Sequence, residues 1–175
     1  MTLKNTEIQK AEGKLGVLIP GLGAVSTTFI AGVMLIRKGL KLPKGSVAMM
    51  GKLRIGKGDD AQYVPIKDFV PLADLKDMEL GGWDIFEDNA YEAAVKAGVL
   101  QKPDLEPIKE ELSSVKPWKA VFFNNYVKKL HGTWVKKAPS YWDLAQMVKE
   151  DILNFKKEKN ISRMVMVWCA STEIY

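Results

Sequence analysis

KLGVLIPGLGAVS, residues 14–26, passes from an apolar run into a glycine turn and out into a second apolar segment. Lys14 to Pro20 is short and apolar on successive residues, so it reads as a strand buried on both faces rather than one with a wet side. Pro20-Gly21 ends it. Gly21 to Ala24 reads as a tight turn, and Val25 to Lys38 as a helix stopped by Gly39.

The same alternation continues outward. Gly45 to Met50 (GSVAMM) is read as a second strand, which Lys52 to Ile55 extends or follows, and Gly56 to Tyr63 as a polar loop. Pro65 to Leu75 carries two prolines and is given little regularity. Asp77 to Trp83 should hold a third strand near Met78 to Leu80. Asn89 to Ala97 reads as a helix stopped by Gly98, and Leu105 to Val115 as another, with Pro107 tolerated in its first turn. Lys119 to Phe123 (KAVFF) and Arg163 to Cys169 (RMVMVWC) read as strands. Between them Ser140 to Glu158 is a helix, N-capped by Ser140, with Tyr141, Leu144, Val148, Ile152 and Phe155 forming one apolar stripe. Apolar strands alternating with helices predict the α/β class: a Rossmann-type, open, mostly parallel sheet with helices on both faces. Residues 1–13 are expected to be a polar arm and residues 14–175 one domain.

Composition narrows the partners. The chain has 175 residues, 47% of them hydrophobic and 27% charged, the balance of a folded domain rather than a disordered chain. A formal charge of +5 suits an anionic partner without choosing among metabolite, dinucleotide and nucleic acid. The lysines of residues 128–137 and 156–159 lack interleaved aromatic stacking positions, so no nucleic-acid partner is expected and they are read as solvated faces. One cysteine, Cys169, excludes an internal disulfide, and the single histidine, His131, leaves no Cys/His set for a metal. Met1 to Glu12 has no apolar h-region, and a cytoplasmic location is expected. Leu15 to Ile36 carries no charge and is long enough to cross a bilayer. Pro20, Gly21 and Gly23 interrupt it, however, and Ser26, Thr27 and Thr28 sit at its centre; no membrane span is expected.

The turn itself carries chemistry. Gly21 permits the sharp bend, and Gly23, having no Cβ, lets a pyrophosphate approach the backbone. The first free N–H groups of the following helix then face the anion, helped by about half a positive charge from the helix dipole. This is the context of a dinucleotide-binding fingerprint, with two departures. Ser26 holds the third glycine position, and no acid stands at the end of the second predicted strand to grip a ribose. Lys52 and Arg54 lie there instead, which by the general rule hints at a 2′-phosphate and hence NADP. From the residues alone, a turn that binds nothing stays open.

Four stretches together resemble the N-terminal portion of the myo-inositol-phosphate synthase family: Lys14 to Val33, Gly45 to Gly56, Gly81 to Leu100 (GGWDIFEDNAYEAAVKAGVL) and Met164 to Tyr175 (MVMVWCASTEIY). The third and fourth are the specific ones. The resemblance implies NAD as cofactor and glucose 6-phosphate as substrate. The ring closes by internal oxidation at carbon 5, intramolecular aldol reaction and return of the hydride, in a homotetramer serving inositol and phospholipid synthesis. It implies that Gly21, Gly23, Ala24, Val25 and Ser26 form the pyrophosphate loop. Asp84, after Gly82-Trp83, would accept from the adenosine ribose and repel a 2′-phosphate. Ala170, Ser171 and Thr172 would line the cofactor. Family members often show Thr-Ala-Asn-Thr where this chain has Cys169-Ala170-Ser171-Thr172, which alters that contact. The family's catalytic lysines lie C-terminal to the Thr-Glu stretch. No catalytic residue is therefore assigned, and the chain alone is expected to be inactive and to hold the dinucleotide weakly or not at all. Two other classes compete: an NADP-dependent dehydrogenase or reductase, favoured by Lys52 and Arg54 and opposed by Asp84, and a non-catalytic Rossmann binding module.

Overall fold

The computed structural model describes residues 12–169. Four strands form one parallel sheet: β1 (Lys14–Pro20), β4 (Met78–Asp84), β5 (Trp118–Lys119) and β6 (Ile161–Met166), in the order β5-β4-β1-β6. A separate antiparallel hairpin is made by β2 (Lys52–Ile55) and β3 (Gln62–Pro65). The helices are α1 (Ala24–Arg37), α2 (Val47–Met50), α3 (Ile66–Phe69), α4 (Ala90–Ala97), α5 (Lys102–Leu105), α6 (Lys109–Ser114) and α7 (Tyr141–Glu158).

The uninterrupted apolar character of β1 has its reason in the two faces it serves. Successive side chains of a strand point to opposite sides. Val17 and Ile19 join Ile30, Ala31 and Met34 of α1, Ala94 of α4 and Leu112 of α6 in one core. Leu18 faces the other way and packs with Trp83, Phe155 and Ile161 beneath α7. Ile19 and Ile30 are fully buried, and each such side chain stabilises the fold by roughly 1.5–3 kcal/mol. The strands approach closely because Gly82 sits opposite Ile19: a Cβ there would lie 2.1 Å from the Ile19 carbonyl oxygen. At the other end of α1, Arg37 clasps the chain entering β4. Its Nε donates to the Leu75 carbonyl at 2.6 Å and its Nη2 to that of Met78. Burial lowers the pKa of this guanidinium, against the opposing pull of Glu79 and Asp74.

Several elements differ from expectation. GSVAMM is not a strand. The Ser46 hydroxyl accepts from the Met49 amide and caps α2, and Gly51 ends it. Ala and Met favour a helix where no neighbouring strand offers partners. The strand in this region is β2, exposed along its length and paired only with β3, so the excursion lies outside the parallel sheet. The third strand is longer than expected and lies directly beside β1. The segment Leu105 to Val115 begins earlier and is split into α5, a 3₁₀ turn at Glu106–Ile108 and α6, because Pro107 has no N–H to continue the ladder. KAVFF contributes only Lys119 to β5. Ala120 then bridges to Val135, and the chain leaves the sheet. In α7 the stripe is buried at Leu144 and Phe155, whereas Tyr141 is exposed and meets Phe123 edge-on at 5.2 Å. Trp142 and Trp168 are exposed. The last strand runs from Ile161 to Met166 rather than to Cys169, which lies beyond it and packs, partly buried, against the α1-side core. No helix among the described residues is long and apolar enough to cross a membrane.

Candidate functional site

The elbow between β1 and α1 is built from backbone. Gly21 adopts φ of 83°, a left-handed conformation that side chains rarely accept. That turn aims its N–H at the carbonyl of Trp83, 2.8 Å away on β4. Leu22 is buried, and its amide donates to Asp84 Oδ2 at 2.5 Å. Asp84 Oδ1 accepts from Phe86 N at 2.9 Å, so the carboxylate sits in a turn of its own at the end of β4. Glycine elbow and carboxylate are therefore adjacent at the carboxyl ends of neighbouring strands.

Helix α1 begins with no side-chain cap and no acidic residue in its first turn. Gly23, Ala24 and Val25 are exposed, and the first α-helical bond runs from Thr27 N to Gly23 O. The N–H groups of the exposed Gly23, Ala24 and Val25 have no intrahelical acceptor, at the positive end of a helix of 14 residues. A Cβ on Gly23 would meet nothing within 4 Å. The surface above the glycine is open, as a close-approaching pyrophosphate requires. Ser26 is buried, and its hydroxyl donates to the Gly21 carbonyl, so the residue in the third glycine position ties the elbow to the helix. The hydroxyls of Thr27 and Thr28 fold back onto the carbonyls of Gly23 and Ala24.

The structure brings Gly21, Gly23, Ala24, Val25, Ser26 and Asp84 together. It does not bring Lys52 and Arg54 into the sheet, where they pair with Pro65 and Tyr63 in the exposed hairpin. β1 has two neighbours in the sheet, β4 and β6, and β4 is the one that ends in an acid, Asp84. Asp84 does not cap α4 either: Asn89 does, in a reciprocal capping box with Glu92. Ala170, Ser171 and Thr172, with residues 1–11 of the expected arm, lie outside the described residues.

Sequence reasoning missed a polar group beneath this site. The Trp83 indole Nε1 donates to Asp151 Oδ2 at 2.6 Å, and the same oxygen takes the Lys136 ammonium at 2.8 Å. The signal was available. Asp151 lies seven residues after Leu144 and four before Phe155, inside the apolar face of α7, where an acid is buried only if paired.

Comparison with known proteins supplies the remaining facts. The sequence model of the family described as myo-inositol-1-phosphate synthase, for its NAD-binding part, matches residues 15–175. An inositol-3-phosphate synthase of Bacteroides thetaiotaomicron is 48% identical over 97% of this chain, and that of Saccharomyces cerevisiae is 26% identical over 97%. The chain spans 39% and 36% of those two relatives. The crystal structure of inositol-3-phosphate synthase from Caenorhabditis elegans superposes with a TM-score of 0.82 at 22% identity, covering 93% of this chain and 35% of that one, and shows the shared fold.

Proposed function

Since the chain belongs to the myo-inositol-1-phosphate synthase family and matches its NAD-binding part, we propose that it supplies the dinucleotide site of an enzyme that converts glucose 6-phosphate to inositol phosphate. The observation that carries this reading is the exposed, uncapped start of α1 at Gly23–Val25, locked to the Asp84 carboxylate through the Leu22 amide. Each residue has a distinct task. Gly21 sets the bend, and Gly23, Ala24 and Val25 present backbone N–H groups to the pyrophosphate. Ser26 holds the elbow to the helix. Asp84 has spare lone pairs on both oxygens for ribose hydroxyls, and its charge opposes a 2′-phosphate. Ala170, Ser171 and Thr172 are assigned to the cofactor from their match to the family's cofactor-lining loop. NAD held there supplies a hydride acceptor that is restored at the end of each turnover.

No residue of this chain is assigned to proton transfer or ring closure. We read residues 14–175 as one NAD-binding unit, acting in a cytoplasmic homotetramer that feeds inositol and phospholipid synthesis. The NADP-dependent reductase loses its support once Lys52 and Arg54 are found outside the sheet.

The test is an exchange. This chain replaces the matching part of the Bacteroides thetaiotaomicron relative, and the hybrid is assayed for inositol phosphate formation from glucose 6-phosphate with NAD. NAD-dependent product is the expected result. A hybrid that folds and assembles like its parent yet forms no product would overturn the proposal.

A further inference from the structure

Asp84 is held by more than its own turn. Its carbonyl shares the Ala120 N–H with the carbonyl of Trp134, at 3.2 and 3.1 Å, and the Ala120 carbonyl accepts from Lys136 N at 2.8 Å. The Lys136 ammonium reaches Asp151 Oδ2 at 2.8 Å, and that oxygen accepts the indole N–H of Trp83, the residue before Asp84. The contacts close into a ring: Asp84, Ala120, Lys136, Asp151, Trp83 and back to Asp84. The ring is buried. Trp83 is 5% exposed, and the side chains of Lys136 and Asp151 are 8% and 17% exposed. Trp83 is also wedged against Trp118 at 5.2 Å, which in turn meets Phe155 at 5.3 Å.

A buried indole needs one acceptor, and a neutral one suffices. Here it has a carboxylate, which requires a cation in turn. Buried ion pairs stabilise little, because desolvation offsets their attraction, and well-packed apolar replacements often do as well. What such a pair adds is a fixed geometry. The ring fixes both the Trp83 side chain and the Asp84 backbone. The Trp83 carbonyl, in the same strand end, receives the Gly21 N–H of the elbow.

Resting on the NAD reading above, we propose that Lys136 and Asp151 are positioning residues for the dinucleotide site: they orient Asp84 and the glycine elbow from the opposite face of the sheet without touching the ligand.

The test uses the double variant Asp151→Leu/Lys136→Met, which removes the ring at similar volume, beside Lys136→Arg, which keeps it. Three quantities are read on this chain: the thermal midpoint, the amide resonance of Leu22, which reports its bond to Asp84, and the NAD dissociation constant from an amide-shift titration, a method that follows weak binding. The double variant should stay folded with a lowered thermal midpoint, because the buried Trp83 indole loses its acceptor, and should shift the Leu22 resonance and weaken NAD by about 10-fold or more, the scale expected of a small misplacement in a preorganised site. Lys136→Arg should restore the affinity to within about 3-fold of the parent. A folded double variant with unchanged Leu22 resonance and unchanged affinity overturns the inference. Should the double variant fail to fold, Asp151→Asn/Lys136→Met, which leaves the indole a neutral acceptor but opens the ring between residues 136 and 151, takes its place under the same two outcomes. Asp84→Asn runs in parallel. If it weakens NAD while the ring variants do not, only the positioning role fails; if it too has no effect, the NAD reading fails with it.

Discussion

The carboxylate of Asp84 accepts the amide of Leu22 at 2.5 Å, joining two residues 62 apart in sequence at the mouth of the sheet. One side chain thus shapes the elbow and remains available to a ligand.

Asp84→Asn tests that double duty. The amide nitrogen cannot accept from Leu22 or Phe86, so one of these bonds is lost. A hydrogen bond to a charged group contributes about 1.5–3 kcal/mol. The variant should therefore be destabilised by about 1–2 kcal/mol in urea unfolding. NAD should weaken about 10-fold, and the preference for NAD over NADP should shrink as the repelling charge goes.

Gly23→Ala separates folding from binding. The position has an ordinary φ of −79°, and its Cβ would enter open space. Thermal unfolding should show a cost below about 1 kcal/mol, the scale of a changed N-cap. NAD binding should fall steeply in an amide-shift titration, because the methyl group occupies the path of the pyrophosphate.

Gly82→Ala should do the reverse. Its Cβ would collide with the Ile19 carbonyl oxygen, which is backbone and cannot rotate away. Separating β1 from β4 should cost about 3 kcal/mol or more, seen as a lowered urea midpoint before any ligand is added.

The ion pair of Lys38 with Glu111, 2.5 Å apart, ties the end of α1 to α6. The side-chain hydrogen bond from Lys38 holds the Glu111 carboxyl below the usual carboxylate range. A depressed carboxylate adds stability above its unfolded pKa of about 4.3 and loses it as pH falls through the lower folded value. Glu111→Gln should therefore lower the thermal midpoint slightly at neutral pH. Because the pair is largely exposed, the difference should be small and should vanish under acid conditions.

The fold class, β1, α1, α4 and α7 were legible because each rests on local signals: an apolar run, a glycine stop, an Asn or Ser cap. The pairing of β4 with β1 was not, since strand order depends on long-range packing. That is why Lys52 and Arg54 were read at the end of a strand of the parallel sheet, whereas they lie in the separate β2–β3 hairpin. GSVAMM misled because a short apolar run fits either a strand or one helical turn, and the Ser46 cap decided it. Gly21, Gly23 and Ser26 were legible as a turn from spacing alone. Asp84 was not separable from a loop acid until the resemblance singled out its Gly-Trp-Asp setting. Lys136 and Asp151 were hidden because charges far apart in sequence reveal a pairing only once α7 is laid against the sheet.

If the glycine elbow and Asp84 form one nucleotide site, an amide-shift titration of the labelled chain with NAD and with NADP should give shifts concentrated at Leu22 to Ser26 and around Asp84, larger with NAD than with NADP. Shifts confined to other parts of the chain, or none at the elbow when NAD is raised to its solubility limit, would contradict that reading.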